Sequence, residues 1–175
     1  GDMTPSGTLG DNSSGKIKTL NVAGNTSISA SGKINLSEAS MTFSGPVTNQ
    51  GSLAGTSGTL TFNGDYSGTG SFTASSGSTY FLSNMDFSGI TDSSYFNHNG
   101  GRIYFYNTAT DGSELILKTP NADTAFNEFY FGGNLQVAVT NTFACTSFYM
   151  SAVGVGAEYQ QTKDFTVRIT GSSPM

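Results

Sequence analysis

Twelve acidic side chains, seven basic ones and one histidine carry all the strong acid–base chemistry open to this 175-residue chain. Cleaving an acidic polysaccharide needs clustered carboxylates, a basic proton acceptor and, on many coiled β scaffolds, a calcium ion. Hydrolysing a glycosidic bond needs two carboxylates at a set separation. The candidates are Asp65, Asp86, Asp92, Asp111, Glu114, Asp123 and Glu128. Asp65 follows Gly64 in a turn-forming position, and a turn is its expected role. The other six are spread over loops and strand ends. The calcium-loading repeat Gly-Gly-x-Gly-x-Asp is absent. His98 stands in Asn97-His98-Asn99-Gly100, a turn, with no second histidine or nearby cysteine to share a metal. No Ser-His-Asp context supports nucleophilic catalysis. The expectation is a non-catalytic chain that takes no cofactor and no metal.

A second kind of chemistry rests on tyrosine. Tyr80 and Tyr104 occupy equivalent outward positions, and Tyr106 follows on the same face of its strand. Tyrosines on a rigid face can stack sugar rings or grip a protein partner. These three are the candidate ligand-binding residues. The alternative is that a C-terminal cap or an inserted loop folds over them.

The elements that position them come from a repeat. Gly32-Lys33-Ile34, Gly51-Ser52-Leu53 and Gly70-Ser71-Phe72 follow one another at a step of 19 residues. Phe43, Phe62 and Phe81 keep that step, as do Met41, Leu60 and Thr79, and also Val47, Tyr66 and Met85. Ala39, Gly58 and Gly77 form a small-residue column, and Pro46, Asp65 and Asn84 a column of turn formers. A fixed period with apolar columns marks a repeat architecture. Alternation within the unit, as in Leu60-Thr61-Phe62, is the period of a strand. The unit is too rich in Gly, Ser and Thr for helix. Stacked turns ~4.8 Å apart place the Phe43, Phe62 and Phe81 rings one above another. The fold predicted is all-β, a parallel β-solenoid of 19-residue coils. An antiparallel β-sandwich is the other candidate.

The pattern resembles the repeats of bacterial filamentous-haemagglutinin-type adhesins and autotransporter passenger domains. Gly51-Ser52-Leu53, Gly58-Thr59-Leu60-Thr61-Phe62-Asn63-Gly64 and Phe96-Asn97-His98-Asn99-Gly100-Gly101 carry the resemblance, which covers about residues 13–106. The last segment, with Ile103, also resembles the Phe-x-x-Asn and Gly-Gly-x-Ile pairing of chlamydial polymorphic membrane proteins, though here it occurs once. The resemblance implies a right-handed β-helix at a bacterial cell surface.

Composition bounds the rest. The length suits one domain. Charged residues make up 11% and Gly, Ser and Thr are abundant, a profile that taken alone suits disorder, but 13 Phe and 8 Tyr supply apolar area that must be buried. The net charge is −5 and the seven basic residues are scattered, which excludes a nucleic-acid surface. No apolar run reaches the ~20 residues of a membrane span, and no signal peptide is present. Gly1-Asp2-Met3 reads as an expression remnant, and the expectation that follows is a piece of a longer polypeptide. Cys145 is the only cysteine, so no intrachain disulfide can form. Its apolar neighbours predict a buried, inert thiol. Few lysines, no disulfides and abundant Gly, Ser and Thr suit a secreted bacterial protein.

Along the chain, residues 1–15 read as a loose lead-in. Residues 16–106 hold the coils, with an insertion around 83–95: Phe72 and Phe96 are 24 apart, the 19-residue step plus five. Insertions in a solenoid are expected to leave outward as loops. Residues 107–175 read as wider coils or a C-terminal β cap, needed because an open solenoid end exposes unpaired backbone. Strands are expected at Glu114–Lys118, Phe126–Phe131, Leu135–Val139, Phe143–Phe148 and Phe165–Ile169, the apolar stretch Phe143–Val155 is expected to be fully covered, and Ala122–Phe129 is the one stretch that could form a short helix.

These readings converge on an extracellular structural and adhesive segment with a host or cell-surface glycan or protein as partner. The alternatives are a polysaccharide-active β-helix enzyme, a lyase or glycosidase, and a trimeric fibre segment of a phage or secreted appendage.

Overall fold

The computed structural model describes residues 1–11, 16–107, 115–120, 124–132, 135–138, 143–151 and 167–169. It is a parallel β-solenoid built from three sheets. The first stacks Thr8–Gly10, Lys33–Asn35, Ser52–Ala54, Ser71–Thr73 and Phe96–Asn97. The second stacks Thr19–Val22, Ser40–Phe43, Thr59–Phe62, Ser78–Phe81, Arg102–Tyr106, Thr124–Gly132, Phe143–Ser151 and Val167–Ile169. The third stacks Thr26–Ile28, Val47–Asn49, Tyr66–Gly68, Met85–Asp86, Leu115–Lys118 and Leu135–Ala138. From Thr8 to Tyr106 the chain visits the three sheets in strict rotation.

The repeat sets the register. Met41 pairs with Leu60, and Leu60 with Thr79, each 19 positions on. Thr79 then pairs with Ile103, 24 on, which is the expected step with five extra residues. Phe43, Phe62 and Phe81 form the predicted internal stack, with centroids 5.4 and 4.8 Å apart and planes within 11° and 5° of parallel. Ile34, Leu53, Phe72 and Phe96 line the core from the first sheet, and Val47, Tyr66, Met85 and Leu117 from the third. The glycine column has a steric cause. A Cβ on Gly51 would lie 2.2 Å from the Gly32 carbonyl oxygen, and one on Gly70 would lie 2.3 Å from that of Gly51. Backbones of adjacent coils touch there, and a side chain has no room.

Three expectations are corrected. The stretch read as a loose lead-in carries structure: Thr8–Gly10 pairs with Lys33–Asn35, and Met3 bridges to Thr26. The segment 83–95, which holds the five extra residues, is not wholly outward. Phe87 and Ile90 turn inward and are buried, Phe87 packing on Tyr66, Phe72 and Phe96. Only then does the chain leave the core, in a 3-10 turn at Ser93–Tyr95 capped by the Asp92 side chain. Finally, the possible helix at Ala122–Phe129 is strand over its described part, because Thr124–Gly132 is paired with Phe143–Ser151. Phe126, Phe129 and Phe131 gain more by burial in a sheet than a lone helical turn offers.

Among the described strands after Tyr106, Leu115–Lys118, Thr124–Gly132, Leu135–Ala138 and Phe143–Ser151 alternate between the third and second sheets, and Val167–Ile169 then adds to the second. The nine-residue strands Thr124–Gly132 and Phe143–Ser151 are nearly twice the length of the longest earlier strand, Arg102–Tyr106. Phe126 meets Phe96 edge to face at 4.8 Å, so the long strand brings a ring to the end of the first sheet. Gln136 and the other strand residues at 135–138 continue the third sheet in register with Leu115–Lys118.

Candidate functional site

Strand alternation gives the second sheet two outward columns over most of its height. In register, one runs Thr19, Ser40, Thr59, Ser78, Arg102, Glu128, Ser147. The other runs Asn21, Thr42, Thr61, Tyr80, Tyr104, Tyr130, Tyr149. The aromatic part of the second column is a continuous ladder. Tyr80 and Tyr104 are stacked at 4.7 Å, Tyr104 and Tyr130 at 4.5 Å, and Tyr130 and Tyr149 at 4.3 Å. Interplanar angles are 13°, 19° and 8°.

The expected neighbours Tyr80 and Tyr104 are therefore together. Tyr106 is not in the ladder. It lies two residues along its strand, in register with Gly132, and a Cβ on Gly132 would lie 2.5 Å from the Tyr106 ring. Tyr106 covers bare backbone there. Tyr130 and Tyr149 are the residues sequence reasoning missed. Their signal was local: Phe129-Tyr130-Phe131 repeats the inward–Tyr–inward pattern of Ile103-Tyr104-Phe105, and Tyr149 again follows a phenylalanine, Phe148.

The inserted segment does not cover the ladder. It joins the third sheet to the first, away from the second. Tyr80, Tyr104 and Tyr130 are half-buried, and Tyr149 is 44% exposed. Because each ring faces its neighbour, stacking uses most of the ring faces. The ladder offers solvent mainly ring edges and phenolic hydroxyls. Edges carry the positive end of the aromatic quadrupole, so they favour oxygen-rich partners.

Beside the ladder sits an ion pair. Arg102 Nε donates to Glu128 Oε2 at 2.9 Å, and the Tyr130 hydroxyl donates to the same oxygen at 3.0 Å. The arrangement ties both columns together. The Glu128 carboxylate holds the Arg102 guanidinium firmly in its charged form. Burial, and then the Glu128 carboxylate, raise the Tyr130 phenol well above its ordinary value, so it stays protonated. A shallow cleft of about 230 Å³ opens at this corner, lined by Ser76–Ser78, Gly100–Arg102 and Glu128.

A second cleft, about 260 Å³, lies on the third sheet and includes Asp65, Asn84, Asp86 and Lys118. Its carboxylates have evident structural work. Asp65 accepts from the Ser83 hydroxyl at 2.5 Å and the Asn84 amide at 3.1 Å. Asp86 accepts from Lys118 Nζ at 2.8 Å and from Ser88. Asp92 caps the 3-10 turn. His98 Nδ1 accepts from the Gly100 amide at 2.9 Å, which makes it part of the turn that sequence predicted. Asp111, Glu114 and Asp123 lie outside the described residues. Among the described residues no cluster of three His, Cys, Asp or Glu side chains could hold a metal ion. Cys145 is buried, and burial pushes its thiol up to about 11. No helix among the described residues is long and apolar enough to cross a membrane.

No protein-family model, curated protein or solved structure matches this chain.

Proposed function

We propose that the chain is a non-catalytic segment of an extracellular bacterial adhesin. Its coils form a rigid spacer, and its second sheet presents a binding surface to a glycan or protein of a host or cell surface. The observation that carries this reading is the ladder Tyr80–Tyr104–Tyr130–Tyr149 on an outward sheet face. Four stacked rings are already immobilised, so a partner meets them with little further loss of side-chain entropy. The partner's contact with the hydroxyl edges also explains why tyrosine, and not phenylalanine, fills the column. The resemblance to adhesin and passenger repeats supports the same reading, as do the low charge and absence of disulfides. Tyr106, two residues along the strand, belongs to the margin of this surface.

The polysaccharide-enzyme alternative has less support. Asp65 and Asp86 in the third-sheet cleft are engaged by Ser83, Asn84, Lys118 and Ser88, which suits a structural role.

The test is a glycan-array and host-protein binding screen with wild type beside a variant carrying serine at all four ladder positions. Binding by wild type that the variant loses, with unchanged circular dichroism, is the expected result. Binding kept by the variant, or release of oligosaccharides from a polysaccharide panel, overturns the reading.

A further inference from the structure

We propose that the corner cleft beside the ladder is a subsite for one pyranose ring of a neutral glycan, with Arg102 and Glu128 as its recognition pair. The proposal rests on the adhesive reading above and names its ligand class.

The geometry of the ion pair is the starting point. Both donors that reach Glu128, Arg102 Nε and the Tyr130 hydroxyl, converge on Oε2. Among the described residues, Glu128 Oε1 and the two terminal amines of Arg102 make no hydrogen bond. The Arg102 side chain is 55% exposed and that of Glu128 27%. The pair therefore offers solvent one unused acceptor beside two unused donor groups, held in place by bonds made on their inner sides. Adjacent ring hydroxyls of a sugar complement such a pair: one donates to the carboxylate oxygen, and the next accepts from the guanidinium. Bonds of this kind to ionised groups are among the stronger polar contacts.

The cleft itself is small and smooth. At about 230 Å³ it falls below the ~300–1,000 Å³ of pockets for drug-sized ligands, which suits one sugar ring. Gly77, Gly100 and Gly101 contribute bare backbone to its lining, and Ser76 and Ser78 add hydroxyls. Gly100 adopts φ +69°, a conformation that glycine accepts readily, and a Cβ there would project into open space.

Charge selects a neutral ligand over an anionic one. The guanidinium is already matched by Glu128, and the chain carries net charge −5. A uronate or sulfated glycan arriving at Arg102 meets the Glu128 carboxylate as well. The cleft and ladder also lie on one face. Arg102 and Tyr104 are two residues apart on one strand, as are Glu128 and Tyr130 on the next, so neighbouring columns stand ~6.6 Å apart. A glycan whose terminal ring fills the cleft continues over the hydroxyl edge of the ladder.

The experiment is isothermal titration calorimetry of wild type, Arg102→Ala and Glu128→Gln against neutral tetrasaccharides (cellotetraose, chitotetraose, lacto-N-tetraose) and anionic ones (tetragalacturonate, a heparin tetrasaccharide). The proposal expects binding of a neutral member that changes little with salt and weakens about 10-fold or more in each variant. A matched thermal midpoint in Glu128→Gln, which keeps the shape of the side chain, guards against a folding artefact. Preference for the anionic members, or no neutral binding by wild type, overturns the subsite. If wild type binds a glycan or protein that the ladder variant loses and the Arg102 and Glu128 variants keep, the adhesive reading stands and the subsite falls.

Discussion

Tyr104 and Tyr130 lie ring over ring on consecutive turns of the coil, centroids 4.5 Å apart and planes 19° from parallel. Neither ring can turn a face to solvent without leaving the other. Packing between coils and the surface left to solvent are thus properties of the same pair. On the adhesive reading proposed above, a ligand would meet what the stack leaves over, a row of hydroxyl-tipped edges.

The stack contributes to stability as well. A double-mutant cycle with Tyr104→Ser and Tyr130→Ser, followed by urea unfolding, is expected to give a coupling of about 0.5–1.5 kcal/mol. A coupling near zero shows that the rings lie together without attracting one another. The same cycle on Tyr80 and Tyr149, which share no stacking partner in the ladder, is expected to be close to additive.

Gly51→Ala tests the contact between coils. The added methyl meets the Gly32 oxygen at 2.2 Å and the Ser29 oxygen at 2.3 Å, and both are backbone atoms that cannot swing aside. Destabilisation of about 1–3 kcal/mol or more is expected, from overpacking alone. Gly100→Ala has open space for its methyl but a left-handed φ of +69°, so its cost, about 1 kcal/mol, is one of backbone strain. A thermal midpoint that falls further for Gly51→Ala than for Gly100→Ala is the expected order.

Acid stability follows from the carboxylates. Burial acts to raise Asp86, but hydrogen bonds from Lys118 and Ser88 outweigh it and hold the group below its ordinary value. Hydrogen bonds from Lys16 and Lys18 hold Glu38 down likewise. Each group binds fewer protons folded than unfolded. Their contribution is complete above the ordinary carboxylate range, ~4, and is lost as pH falls through the lowered values. Urea midpoints measured from pH 7 to pH 2 are expected to fall at the acid end, and Lys118→Met to fall less steeply there. Identical slopes in the two proteins mean that Asp86 contributes nothing to the acid limb.

Cys145 offers a probe of the C-terminal coils. With the side chain buried and its thiol pushed up to about 11, alkylation by iodoacetamide at pH 8 is expected to be slow in the folded protein and fast in denaturant. Equal rates indicate that the sheet opens around Phe126 and Cys145, which are paired in register.

The fold was legible where the period was strict. Phe43, Phe62 and Phe81 each had to face inward, because a 19-residue step returns the same residue to the same side of the coil. The polar interior was less legible. Tyr66 reads as an apolar column member, yet its hydroxyl accepts from Asn49 Nδ2 at 3.1 Å, and Asn49 also donates to the Ser71 carbonyl at 2.9 Å. Asn49 reads as an ordinary turn residue because nothing in its neighbours announces a buried amide. Phe87 was hidden by the expectation that inserted residues leave the core. At the site, Tyr80 and Tyr104 were found through the repeat. Tyr130 was not, because it follows Tyr104 at 26 residues, a step the repeat does not contain. Glu128 was legible only as one of seven scattered carboxylates and Arg102 as one of the scattered basic residues; their pairing needed the register between their two strands.

The uniform 19-residue step from Lys33 to Phe81 makes this part of the molecule a ruler. Gly51 to Thr69 is one complete graduation. Excising it would join Gln50 to Gly70, restore every column and set Phe43 directly under Phe81. The chain would shorten by one strand spacing, ~4.8 Å, while its cross-section stayed the same. Reach can therefore be counted out in whole turns, lengthened by duplication or trimmed by deletion, without redesigning anything a partner touches.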